Sequence, residues 1–410
     1  MKWTIYLLFA CWAIQVNAQN NEAFLYNLMA QQPTQFENII THPDKYRVQI
    51  LYTQIIRDKN NIPHFKEYNF RLNPVEYFYP ASTVKMPLAF LALEKINNLK
   101  IKGFTKSSMA VCDSVAARQE TIYTNPYSID GKQTIEQAIK EVFLVSDNNA
   151  ANRLFEFIGQ EQIHSGLAAK GYTNAIIRNR LELSRKGEEN RQTQKIRFYD
   201  DAGKLIYQQA PLYNKQVLPY YNSFIGKGYL DNKDSLIKEP LNFSEKNRIY
   251  LSDLHHILRS IIFPSQTPKK QLFNLTTADR QFVLKWMSAT PASSMYPTYD
   301  TNYYHANITK FLLAGGERSP LPASIKIFSK AGDAYGFLLD NAYIIDTQNK
   351  IEFLVSAVIY CNEDGILNDN KYDYETIGLP FMKNLGWLLY NYELKRKKAV
   401  LPKFDNLPLN

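Results

Sequence analysis

The chain has 410 residues, of which 45% are hydrophobic and 21% charged, with a formal net charge of +9. That is an ordinary globular composition, enough for one large domain or two intertwined ones. Three cysteines, one of them in the leader described next, rule out a disulfide scaffold, and no basic-aromatic motif points to nucleic acid.

Residues 1–18 read as a leader rather than as part of the fold. Lys2 precedes an apolar run from Ile5 to Ile14, too short to span a bilayer, and Val16-Asn17-Ala18 has the small-residue spacing of a signal-peptidase site. Cleavage after Ala18 leaves a secreted or periplasmic chain of net charge about +8, without a transmembrane span. A lipoprotein box ending at Cys11 is the alternative, weakened by the bulky Phe9. Cys112 and Cys361 remain, and spacing alone does not say whether they are bridged.

A short helical start covers Asn21 to Ala30. Residues 46–58 and 62–72 alternate as strands around the turn Asp58-Lys59-Asn60-Asn61. The period then changes to helical from Met86 to Ile96, with Pro87 early enough to be tolerated. A second helix opens at Thr134 and ends near Val145; a third runs from Asn149 to Ile158. From about 184 to 243 the chain is polar and dotted with tyrosines, an insertion with a few strands whose rings pack amphipathic strands or, as the alternative, line a binding surface. Helices resume over Ser244–Phe263 and Thr276–Met287. Strands follow over Ala323–Ser329, Gly336–Asp346 and Ile351–Tyr360, then a last helix over 377–396. In the cluster Lys395-Arg396-Lys397-Lys398, cations complement the last helical turn.

This order predicts an α+β fold: a five-stranded antiparallel sheet built from both chain ends, with a helical domain inserted. Residues 19–78 form the N-terminal part of the sheet domain and 79–320 the helical domain with its insertion. Residues 321–396 complete the sheet and 397–410 are a basic tail. A cleft between sheet and helices is the natural place for a site.

The chemistry-bearing stretch is Tyr79-Pro80-Ala81-Ser82-Thr83-Val84-Lys85. A serine hydroxyl and a lysine amine three apart at a helix start share one face, and partial burial lowers the amine's pKa so that it can act as a base. Ser-x-x-Lys also arises by chance, as Ser235-Leu236-Ile237-Lys238 shows; that copy lies in the polar insertion with Pro240 close behind, and is a decoy. Two further elements lie downstream, Ser146-Asp147-Asn148 and Lys330-Ala331-Gly332. The six histidines and the cysteines lack metal-ligand spacing, so neither a metal nor another cofactor is expected.

In this order the three motifs resemble the Ser-x-x-Lys, Ser-Asp-Asn and Lys-Thr-Gly triple of class A β-lactamases and penicillin-binding proteins. Asn149-Ala150-Ala151-Asn152 after the second motif, and Arg280-Gln281 with Trp286-Met287 before the third, are similar to that family as well. The resemblance covers about 46–182 and 244–395. It implies a secreted serine hydrolase acting through an acyl-enzyme on a small β-lactam or a cell-wall peptide; its oligomeric state is not legible, a monomer being favoured. Ser82 would be the nucleophile and Lys85 its base. Ser146 would relay a proton with the help of Lys330, and Asn148 would bind a substrate amide. The oxyanion hole would be the N–H groups of Ser82 and Asp333. Arg180-Leu181-Glu182 resembles the segment that carries the deacylating glutamate, although Leu183-Ser184-Arg185-Lys186 does not continue the pattern. Ala331, before Gly332, lacks the usual hydroxyl, and Asp333 would repel a substrate carboxylate. A peptidase or esterase, a penicillin-binding protein that stalls after acylation, and a silent binding protein are the alternatives.

Overall fold

The computed structural model describes residues 21–117, 119–183 and 187–409. The leader, with the proposed cleavage after Ala18 and the alternative at Cys11, lies outside them. So do Ser184, Arg185 and Lys186.

Residues 21–30 form α1, and α2 is Pro33–Thr41. β1 (Gln49–Arg57) and β2 (Pro63–Phe70) make the expected hairpin, and Asp58 Oδ1 fastens its turn by accepting the N–H groups of Asn60 and Ile62. Ala81–Val84 wind as a 3₁₀ turn that leads into α3 (Lys85–Leu99). β3 (Met109–Asp113) precedes α4 (Ile135–Leu144), α5 (Asn148–Ile158) and α6 (Gln160–Ala169). Thr134 and Asp147 cap α4 and α5, their side-chain oxygens accepting the N–H of Gln137 and of Ala150.

The insertion holds α7 (Glu188–Arg191), β4 (Lys195–Tyr199), β5 (Leu205–Gln209), β6 (Phe224–Ile225), β7 (Gly228–Leu230), β8 (Leu236–Ile237) and β9 (Leu241–Asn242). Next come α8 (Leu251–Ile262) and α9 (Thr277–Ser288), the latter opened by a capping box between Thr276 and Asp279. α8 starts later than the expected Ser244 because Ile176 and Arg248 exchange both backbone hydrogen bonds, at 2.7 and 2.8 Å, holding the preceding segment extended. The chain closes with β10 (Ile325–Ser329), β11 (Gly332–Ala334), β12 (Phe337–Asp346), β13 (Ile351–Tyr360), β14 (Ile366–Leu367) and α10 (Leu379–Lys395).

The central sheet runs β10-β12-β13-β1-β2, antiparallel throughout, as expected from the two chain ends. It has one strand more than expected: the three-residue β11 also pairs with β12. β12 and β13 are buried along their whole length, with alternate residues serving two cores. Tyr343, Ile345 and Leu354 face the core built by α3, α4, α5, α8 and α9. Ile344, Phe353 and Val355 face the core built by α1, α2 and α10. A large apolar side chain fully buried in either core contributes about 1.5–3 kcal/mol. A second small sheet, β3-β4-β5, joins the insertion to the helical core through Ile196 and Phe198.

Candidate active site

The Ser82 turn is strained into place. Ala81 before it has φ 45°, a left-handed conformation unusual outside glycine, and Thr83 binds back to Pro80 by both its N–H and its hydroxyl. Ser82 is half-buried at the cleft floor; Lys85, the first α-helical residue, is fully buried. The Lys85 amine does not hydrogen-bond Ser82. It donates to the carbonyl oxygen of Ser146 and, at 3.1 Å, to Ser146 Oγ. Burial pulls its pKa down to about 7, although Asp147, Glu182 and Asp333 nearby favour the charged form.

Ser146 also sits at positive φ, 60°, and Asp147 locks the turn by capping α5. Its Oγ receives a second cationic donor, Lys330 Nζ at 2.8 Å, which also donates to the Ala331 carbonyl at 2.7 Å. A hydroxyl accepts two hydrogen bonds and donates one, so with both acceptor positions taken the proton of Ser146 is the group left to move. Burial holds the Lys330 pKa well below the ordinary lysine range, and the neighbouring Lys85 charge pushes the same way. Behind Lys330 lie two groups that were not legible as site residues. Lys310, its pKa pulled to about 8 by burial, donates to Ser329 Oγ. Asp340 accepts the N–H groups of Phe311, Leu312 and Asn341.

The third motif approaches Ser82 closely. A Cβ on Gly332 would lie 2.5 Å from the Ser82 backbone nitrogen, so only glycine fits there. The β11–β12 hairpin turns on Tyr335-Gly336, both at positive φ (54° and 82°), with Ala334 opposite Phe337. The pair flanking such a turn is hydrogen-bonded and the next, Asp333 opposite Leu338, is not; the Asp333 N–H therefore points away from β12. The N–H groups of Asp333 and Ser82 thus belong to two backbone segments pressed together at Gly332.

Arg180 is buried against Glu156 at 2.6 Å and stacks on Phe155. Asn152 of α5 clamps Leu181 through its backbone N–H and carbonyl at 2.9 and 3.0 Å. Glu182 follows at φ 56°, exposed and facing the cleft.

Ser82, Asn148, Glu182 and Asp333 line one cleft of about 410 Å³, with Ala331 buried beneath it. The polar and aromatic part of its remaining wall was not read as site in the sequence: Tyr79, Tyr335, Tyr372, Tyr374, Asn368 and Asn370. The pair Asn368 and Asn370, both at positive φ, marked a tight loop that could have been noticed. A second hollow of about 500 Å³ adjoins it at Tyr79, Glu182 and Tyr335. In the decoy, Leu236 and Ile237 form a strand, so Ser235 and Lys238 share no helix face. His255 is buried between Thr53 and Ser356, and His256 pairs with Glu67. Cys112 and Cys361 are buried free thiols. No helix among the described residues is long and apolar enough to cross a membrane.

Residues 34–218, which contain the first two motifs, match the family model described as the beta-lactamase enzyme family. Over that segment the chain is similar to the β-lactamase family. Solved structures similar to this chain include a β-lactamase from Xanthomonas campestris pv. campestris, at 15% identity and TM-score 0.46 over 90% of this chain and 98% of that one. A β-lactamase from Desulfarculus baarsii gives 13% identity and TM-score 0.46 over 90% and 98%. PBP-A gives 15% and 0.48 over 89% and 95%. No curated protein matches the chain.

Proposed function

We propose that this β-lactamase-like serine hydrolase is secreted, with its leader cleaved after Ala18, and works as a monomer through an acyl-Ser82 intermediate, with hydrolysis of a β-lactam amide as the leading activity. The observation that carries this reading is the convergence of two buried lysine side chains on Ser146 Oγ beside the Ser82 turn. Neutral Lys85 takes the Ser82 proton through an intervening water, and Ser82 Oγ attacks the carbonyl carbon. The N–H groups of Ser82 and Asp333 receive the developing oxyanion, a contribution of about 3–4 kcal/mol per donor. Ser146 passes its proton to the leaving nitrogen and is reprotonated from Lys330. Asn148 binds the substrate amide. Glu182 activates the water that releases the acyl group.

Asp333 and the hydroxyl-free Ala331 favour a second reading, in which the same machinery acts as a peptidase or esterase on a cell-wall peptide or another acyl donor rather than on an anionic penicillin. The mature protein and a Ser82→Ala variant, incubated with a fluorescent penicillin and a chromogenic cephalosporin, separate the two. Ser82-dependent colour change is expected. A stable label without turnover indicates a penicillin-binding protein. No label and no turnover removes the β-lactam reading.

A further inference from the structure

The Asp333 carboxylate faces the cleft with no ion pair or hydrogen bond among the described residues. A carboxylate left this way beside a nucleophile is set up to receive a ligand. The described residues lining that cleft include two carboxylates, Glu182 and Asp333, and no lysine or arginine. The nearest cations on the inner side, Lys85 and Lys330, hydrogen-bond Ser146 and, although near enough to act on Asp333 electrostatically, form no ion pair with it. On the outer side Lys246 already occupies Tyr335, 5.1 Å from the ring centroid. That leaves the Tyr372 and Tyr374 rings, 5.4 Å apart and inclined at 43°, as the aromatic surface next to Asp333. Both rings are fixed, the Tyr372 oxygen accepting the Asn368 N–H and the Tyr374 oxygen accepting the Gly336 N–H, each at 2.9 Å.

A carboxylate beside preoriented aromatic rings is the chemistry that recognises an alkylammonium ion. We propose that the substrate of Ser82 carries an alkylammonium group, seated between Asp333 and the rings of Tyr372 and Tyr374 next to the acyl bond. This deepens the hydrolase reading and rests on Ser82 being the nucleophile. It gives Asp333, which repels anions, a positive use.

Two measurements separate the two claims. In the binding arm, the Ser82→Ala protein is titrated with tetramethylammonium chloride and with tert-butanol at constant ionic strength, followed by saturation-transfer NMR. The expected result is saturable binding of the cation, about tenfold tighter than the neutral isostere, with the gap lost in Asp333→Asn. Equal binding of the two, or a gap unchanged in Asp333→Asn, overturns the cation site. If Asp333→Asn does not fold, Tyr372→Leu carries the same comparison. In the turnover arm, p-nitrophenyl esters with trimethylammonioacetyl and 3,3-dimethylbutanoyl groups are compared in the unaltered protein. The expected result is Ser82-dependent hydrolysis with kcat/KM about tenfold higher for the cationic ester. Hydrolysis without that preference overturns the cation site and leaves the hydrolase standing. No Ser82-dependent hydrolysis counts against the hydrolase reading, while the binding arm still decides the cation site.

Discussion

Lys85 can act as a base only in the fraction of molecules where it has lost its proton. An exposed lysine would almost never do so at neutral pH; here burial brings the pKa to about 7. The sign follows directly. Below that value the amine is charged and cannot accept the Ser82 proton, so the acylation rate should climb about tenfold per pH unit and level off above about 7. The second-order rate of Ser82 labelling, followed from pH 5 to 9, measures this. A rate flat between pH 5 and 8 would assign the base elsewhere. Lys85→Ala should lower the plateau about 10²–10⁴-fold. Two site features escaped sequence reading at this scale: Lys310 and Asp340 sit outside any motif, Asp340 nearing Lys330 through the pairing of β10 with β12 and Lys310 through its hold on the Met287 carbonyl and Ser329 Oγ.

At the scale of elements, α5 does two jobs. Its N-terminus presents Asn148 to the cleft, and one turn further Asn152 holds the backbone of Leu181 by two hydrogen bonds. The placement of Glu182 therefore depends on a buried amide in another element. Asn152→Ala leaves a backbone N–H and carbonyl without partners, a loss of about 1–3 kcal/mol. Urea denaturation should show that loss, and stopped-flow traces should show a longer-lived acyl-enzyme with acylation altered less. Unchanged stability would mean that the clamp is not used. The helices on either side were legible because Thr134 and Asp147 announce their starts. β3 was not, because a five-residue apolar stretch shows no clear period and its partner β4 lies far along the chain in the insertion. β11 was missed because three residues containing a glycine carry no strand signal, yet it brings Asp333 to the Ser82 turn.

At the scale of the whole molecule, the tail after α10 is part of the structure. Arg396 and Lys398 pair with the buried Glu393, so the basic cluster finds an internal partner beyond the helix end it was expected to complement. Beyond it, Phe404 is buried and Leu407 and Leu409 pack on the helical core, while Asn406 accepts a hydrogen bond from Gln281 of α9. The tail thus bridges the β1–β2 turn, through Asn61 and Leu401, to the helices. Phe404→Ala should lower stability by about 3 kcal/mol in chemical denaturation; a change below about 0.5 kcal/mol would mean that the tail is not docked in solution. The sheet order was legible because both chain ends carry clean strand periodicity. The cleft wall was not, because its tyrosines come from three separated loops whose meeting is a matter of tertiary packing.

One joint between distant parts reaches further than its size suggests. β14 and β7 pair in parallel over only two residues, Ile366 with Gly228 and Leu367 with Tyr229. A Cβ on Gly226 would lie 2.7 Å from the Gly365 carbonyl, so the two strips of backbone are in intimate contact. Asn368, Asn370, Tyr372 and Tyr374 leave directly from that joint. Ser82 and the lysines near it are housed in one part of the molecule, and the cleft wall in front of them is braced by another. Trimming or regrafting the 224–242 segment should therefore retune which molecules are accepted while leaving the bond-breaking apparatus in place.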